Sequence, residues 1–343
     1  MTQTRPSDDL ETLAAQFWSW RAAQQPRSRD DIPRIDRPAG WLPDFSAGAV
    51  GRYRRELGGF ADRLSRIDPG TDRAAAVDVR LLGSALARVR WELDVLRTWQ
   101  RDPGFYVDQT LGCVFDLLTP LEVDAERLAD VRRVLAATPA LLEVGRENLA
   151  GQAVREFAGL TVGALASIED DVTATVEALC ALHPAGWSAD DDRALAAAGT
   201  EAGRALAAFR DDLVQQQPRM TGAEPVGPAA FGWFLREVAL LPYTAQELLD
   251  LGRREAERAA VLELWERNRN GSAPGGRPVP RFTTGAEQAD AQAHDELAVR
   301  RFYEDRGLLT QPDTLRHYRT HPMPAYLAPI AWCGVADLSL IHI

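Results

Sequence analysis

Lysine is absent from this chain: all 39 basic residues are arginine. A GC-rich coding sequence, which writes arginine with CGN codons and avoids the AT-rich lysine codons, accounts for this better than separate uses of the guanidinium fork at every position. Cysteine is nearly as scarce. Cys113, Cys180 and Cys333 are odd in number and show no CxxC spacing, which argues against a disulfide framework or a thiolate metal site. Cys113 and Cys180 sit in apolar, helix-compatible text and read as small buried hydrophobes. No apolar run approaches the ~18 residues of a membrane-spanning helix. Residues Met1 to Asp9 are polar, with no apolar stretch of a secretory signal behind them. The expectation is a cytoplasmic protein with no membrane partner. Positive charge is in the minority, 39 basic against 50 acidic residues for a net charge of −11. Such a field repels phosphate backbones, and no basic patch with interleaved aromatics offsets it, so no nucleic-acid partner is expected.

What remains is ordinary globular material: 343 residues, 45% hydrophobic and 26% charged, enough for a large core. Helix signals dominate it. Val50, Tyr53, Leu57, Phe60, Leu64 and Ile67 form one helical stripe, stopped by Asp68-Pro69-Gly70. The segment Thr71 to Arg101 places Val77, Leu81, Ser84, Val89, Leu93 and Leu96 among charged residues and ends at Pro103-Gly104. Two such helices joined by a short turn should pack antiparallel.

Cap signals repeat along the chain. Thr138-Pro139 offers an N-cap with proline at the first helical position. Ser188-Ala189-Asp190-Asp191 places a hydroxyl and acids at the start of a helix running to about Gln217. Thr244 with Glu247, and Thr284 with Glu287, spell capping boxes, the second before a helix ending at Gly307. Strand patterns are missing except for an extended look at Leu308 to Pro312. Asn268 to Pro280 is a Gly/Pro-rich loop. The fold class is all-α, a large array of long antiparallel helices.

The end of the chain reads differently. Pro324 to Cys333 is apolar and helix-compatible, as if entering a packed element, and then Leu338-Ser339-Leu340-Ile341-His342-Ile343 follows. That hexapeptide is what CTG TCT CTT ATA CAC ATC encodes, the transposon mosaic end used to fragment sequencing libraries. The expectation is therefore that 1–337 are the N-terminal part of a larger domain, that 338–343 are adapter-derived, and that the gene continues. A cut there should leave apolar surface bare around Tyr326, Ile330 and Trp332.

Chemistry-bearing constellations are few. The histidines are His183, His294, His317, His321 and His342, and no HExxH occurs, since His294-Asp295-Glu296 lacks a second histidine one turn on. His317 and His321 are four apart, but Pro322 follows and favours an irregular segment. His183, before Pro184, reads as a helix end. The acid clusters Glu169-Asp170-Asp171 and Asp190-Asp191-Asp192 are better solvated faces or helix starts than acid–base pairs. GxSxG, GxxxxGK[ST] and GxGxxG are absent. Trp18, Trp20, Trp91, Trp99 and Trp233 fall at helical positions and suit core packing. No catalytic, cofactor-binding or metal-ligating residue is assigned.

Three stretches carry a resemblance: Arg101-Asp102-Pro103-Gly104-Phe105-Tyr106, Leu241 to Arg253, and Phe302 to Pro312 leading to Pro322-Met323-Pro324-Ala325-Tyr326-Leu327. In order and spacing they resemble the bacterial domain of unknown function 885 (DUF885) family, from about Trp18 to Trp332. The resemblance implies an all-helical relative of zinc peptidases whose His-Glu-x-x-Pro-Gly-His segment lies in the C-terminal half, beyond anything matched here. In such enzymes zinc polarises the scissile carbonyl and a glutamate activates water. The implied function is the N-terminal portion of a zinc-dependent peptidase or hydrolase-like protein, inactive as it stands. Zinc would be a cofactor, and a peptide or small molecule a substrate, only of the longer protein. The alternative is a non-catalytic helical binding or scaffold protein. The oligomeric state is left open.

Overall fold

A computed structural model describes residues 6–28, 37–120, 122–223, 225–271, 281–310 and 323–334. Helices account for the regular structure, and no strand occurs among the described residues. The chain runs through α1 (Pro6–Gln24), α2 (Ala47–Leu64), α3 (Arg73–Arg90), α4 (Thr98–Arg101), α5 (Pro103–Val107), α6 (Cys113–Leu118) and α7 (Ala125–Leu149). It continues through α8 (Arg155–Ala164), α9 (Ile168–Cys180), α10 (Ala189–Gln216), α11 (Pro228–Trp233), α12 (Ala245–Gly271) and α13 (Gly285–Asp305). Wider π-helical turns extend three of these at Trp91–Leu96, Asp108–Gly112 and Phe234–Val238, and a 3-10 turn spans Ala328–Cys333.

The centre is α10, packed along α7 on one side and α9 on another, with α8 crossing it. Leu128 and Leu142 of α7, Ile168 and Leu179 of α9, and Leu195 and Phe209 of α10 meet there, all excluded from water. Around this centre α1, α2 and α3 form a second packed group, and α4 to α6 bridge the two.

Local cues explain several of these elements. Ser46 caps α2 by accepting from the Ala49 N–H, and Val50, Tyr53, Leu57 and Leu64 are its buried face. Phe60 completes that stripe by packing edge-on against Phe17 of α1 at 5.6 Å. At α10 the Ser188 hydroxyl accepts from the Asp191 N–H and the Asp191 carboxylate accepts from the Ser188 N–H, a reciprocal box. The Ser188 hydroxyl, which also donates to the Asp191 carboxylate, then the Ser188 N–H and Arg132, hold the Asp191 carboxyl below the usual carboxylate range. Replacing Ser188 with alanine is expected to cost about 1 kcal/mol, read as a shift in urea midpoint at constant slope. Thr244 and Glu247 make the same box at α12. At α13 Thr284 accepts from the Glu287 N–H, while the Glu287 carboxylate accepts from the hydroxyl and N–H of Thr283.

Other expectations need correction. Thr138-Pro139 does not start a helix. Both residues lie inside α7, where the Thr138 hydroxyl donates to the Val134 carbonyl at 3.0 Å. Burial of Thr138 and Leu142 against the centre outweighs the local break that proline imposes. On α3 the buried residues are Ala75, Leu82, Leu86 and Val89, while Val77 and Leu81 are more than half exposed. The segment is also not one helix to Arg101: Arg97 adopts φ 50° between the π-helical turn and α4. Trp91 and Trp99 are core residues as anticipated, but Trp18 is 56% exposed. Asn268 to Gly271 still belong to α12, and the rest of the expected loop lies outside the described residues. So do His317, His321, His342 and residues 338–343.

The bare apolar surface is not where the chain end suggested. Tyr326, Leu327, Ile330 and Cys333 are all buried, because the 328–333 turn seats against α9, α6 and the π-helical turn at 108–112. Exposure concentrates instead on α12 and α13, neither of which has a buried residue. Val261, Leu262, Leu264 and Trp265 are open on α12, as are Val299, Phe302 and Tyr303 on α13.

Candidate functional site

Few places in this architecture combine enclosure with polar chemistry. The densest is built around Arg27, just beyond α1. Its side chain is 5% exposed and makes a two-pronged contact with Asp116 of α6, Nε to Oδ2 at 3.0 Å and Nη2 to Oδ1 at 2.9 Å. Its Nη1 reaches Asp108 at 3.2 Å and donates to the Cys333 carbonyl at 3.0 Å. Gln109 locks the backbone beside it, accepting from the Arg27 N–H at 2.7 Å and donating to the Arg27 carbonyl at 2.9 Å. Burial alone would pull the guanidinium down. The hydrogen bonds and charge of Asp116, with Asp108, more than offset this, so its pKa is raised. Next to this knot, burial pushes the Cys113 thiol up to about 12, aided by Asp116 and opposed by Arg27. A guanidinium matched by two carboxylates and a thiol held protonated offer no nucleophile, acid or base at neutral pH. The knot is a clamp joining three distant stretches of chain.

A second constellation is the stretch Arg101 to Tyr106. Asp102 caps α5 by accepting from the Gly104 N–H at 2.8 Å, and Pro103 takes the first helical position. Arg101 is buried and donates to the carbonyls of Leu96, at 2.9 Å, and Ala223. Burial first, then the charge of Arg97, lowers its pKa against the opposing charge of Asp102. Tyr106 donates to the Trp99 carbonyl at 2.6 Å and accepts from Asn148 Nδ2 at 2.9 Å. Its phenol is held neutral by burial, against the pull of Asn148. These residues position helices α4, α5 and α7 rather than face a cleft.

An open groove of about 590 Å³ lies between α7 and α10, lined by Ala140, Ala205 and Ala208 among others. Arg146 at its rim pairs with Asp212 at 2.6 Å and with Glu143, so the guanidinium there is already engaged by two carboxylates. Of the anticipated histidines, His183 is largely exposed, with Nδ1 3.7 Å from Asp192, and His294 is on α13. The structure does not bring them together. Among the described residues no three His, Cys, Asp or Glu side chains gather as a metal site. No described helix is long and apolar enough to cross a membrane. Sequence reasoning missed the Arg27 knot entirely, because its partners lie 81 to 306 residues away.

Residues 32–262 match the model of a family described as bacterial protein of unknown function, DUF885. The chain belongs to the DUF885 family. No curated protein matches it. A solved structure, that of a candidate lipoprotein of unknown function from Shewanella oneidensis, superposes with a TM-score of 0.59 at 13% identity, over 90% of this chain. That likeness shows a shared fold. This DUF885 chain spans 59% of the length of that neighbour. The Arg101–Tyr106 stretch lies within the matched region, and in this member it forms a capped turn and a pinned tyrosine.

Proposed function

We propose that these residues form the N-terminal helical wall of a zinc-dependent peptidase or hydrolase-like DUF885 protein, and that its metal-bearing segment lies beyond the described residues. In this reading the polypeptide continues past Asp337, and the substrate is a peptide or small molecule. The observation that carries it is the state of α12 and α13. Together they amount to 27 and 21 residues of helix without one buried side chain. In the second half of α12, Val261, Leu262, Leu264 and Trp265 share one face, with Glu263, Glu266 and Arg267 on the other. A helix patterned in this way is made to be covered. The greater length of the Shewanella neighbour supports a family fold with more material than is present here. No catalytic step is assigned to a residue of this chain.

The test uses the gene product extended through its native reading frame. It is expected to bind zinc and to melt at a higher temperature with zinc than with chelator, as a ligand specific to the folded state requires, while the 343-residue chain shows no such difference. Trp265→Glu should destabilise the extended protein, in which that face is covered, and change the stability of the 343-residue chain by no more than about 0.5 kcal/mol. An extended protein that carries no zinc by metal analysis and gains no stability from it would sink the hydrolase reading in favour of a helical binding or scaffold protein.

A further inference from the structure

Gln24, the last residue of α1, is 5% exposed, and its side-chain Nε2 has no hydrogen-bond partner. An amide N–H2 stranded among apolar groups loses its hydration without compensation, and native folds avoid leaving one so. Gln24 lines a small cavity with Arg21, Glu92 and Thr98, whose other walls include the rings of Trp99 and Phe105. The space open to the centre of a water-sized sphere is about 10 Å³, which is room for a single water and for nothing larger.

We propose that this cavity is a binding site for one internal water molecule, held by Gln24 Nε2, the Glu92 carboxylate and the Thr98 hydroxyl. The water accepts from the amide and donates to the two oxygens, giving it the two to four polar partners that a buried water requires. Glu92 has capacity to spare: its Oε2 receives Arg21 Nη2 at 2.5 Å and its Oε1 lies 3.6 Å from Arg88. Turning the Gln24 amide over would present its oxygen instead, and a water satisfies either atom because it both donates and accepts. The site ties the end of α1 to the π-helical turn at 91–96 and to the first residue of α4. Arg21–Glu92 already joins the first two of these pieces, and Trp99 Nε1 and Arg101 Nη1 of α4 already donate to the Leu93 and Leu96 carbonyls of the turn, so the water adds a link from α1 to α4.

A crystal structure of the 343-residue chain decides the matter. One ordered solvent peak should lie within hydrogen-bonding distance, up to about 3.2 Å, of the Gln24 side chain and of Glu92 or Thr98. In Gln24→Met, which keeps the volume and removes the amide, the peak should vanish and the melting temperature should stay level or fall. A dry cavity in the unaltered chain overturns the site. So does a Gln24→Met chain that melts higher by about 2 °C or more, because relief of an unpaired buried amide would then be what the substitution reports. Should Gln24→Met fail to fold, the solvent peak in the unaltered chain decides alone.

Discussion

Arg27→Ala is expected to destabilise the chain by about 3 kcal/mol, the lower end of the range for removing one partner of a buried ion pair. The lower end applies because the Asp116 side chain is 52% exposed and regains water once its partner is gone, whereas Asp108 is only 22% exposed. Arg27→Lys should fall between, keeping a charge but not the planar fork that spans both Asp116 oxygens. Asp116→Asn should cost less than Arg27→Ala, since Asp108 and the Cys333 carbonyl still receive Nη1. Urea unfolding of the four chains reads this order. If all variants lie within about 0.5 kcal/mol of the parent, the knot behaves as a surface pair and its assignment as a clamp fails.

Gly145→Ala should be comparably damaging although it adds one methyl group. A Cβ at Gly145 would stand 2.8, 2.9 and 3.0 Å from Cγ, Cδ1 and Cδ2 of Tyr106. The ring has nowhere to go. Its hydroxyl is tied to Trp99 and Asn148, and Phe105 meets it edge-on at 5.2 Å. Overpacking of this kind costs about 1–3 kcal/mol. The sharper measurement is a double-mutant cycle with Tyr106→Leu, which removes the ring from the path of the new methyl. Gly145→Ala should then cost much less in the Tyr106→Leu background than in the parent. Equal costs in both backgrounds would mean that the collision is relieved elsewhere and that Gly145 is not there to admit Tyr106.

Legibility in the sequence followed the range of the interactions. Ser188 with Asp191, Thr244 with Glu247, and the Val50 to Leu64 stripe involve residues a few positions apart, and each stood in the structure as read. Thr138-Pro139 misled because its local cue is the same whether a helix begins there or runs through. What decides is Leu142 and Thr138 buried against neighbours far along the chain. On α3 the sequence offers two apolar faces, and the packing of α1, α2 and the 234–238 turn selects Leu82 and Leu86 over Val77 and Leu81. The family was legible in the order and spacing of three stretches, of which Arg101–Tyr106 and Leu241–Arg253 lie within the matched residues 32–262, whereas what Arg101 and Tyr106 do was not: their partners Trp99, Asn148 and Ala223 are set by the fold. The Arg27 knot carried no signal at all, being one arginine among 39.

The hydrogen bond from Arg27 to the Cys333 carbonyl closes a span of 306 residues, and synthesis is vectorial. At about 5–20 residues per second, a ribosome needs roughly 15–60 s between making the two. Asp108, Gln109 and Asp116 emerge well before then, so most of the knot can assemble on the nascent chain. Its last acceptor arrives only with the 328–333 turn, which also brings Gly334 to within a methyl's width of the Phe115 ring. For that interval the apolar seat awaiting Leu327 and Ile330, against α9 and α6, stays uncovered on the nascent chain.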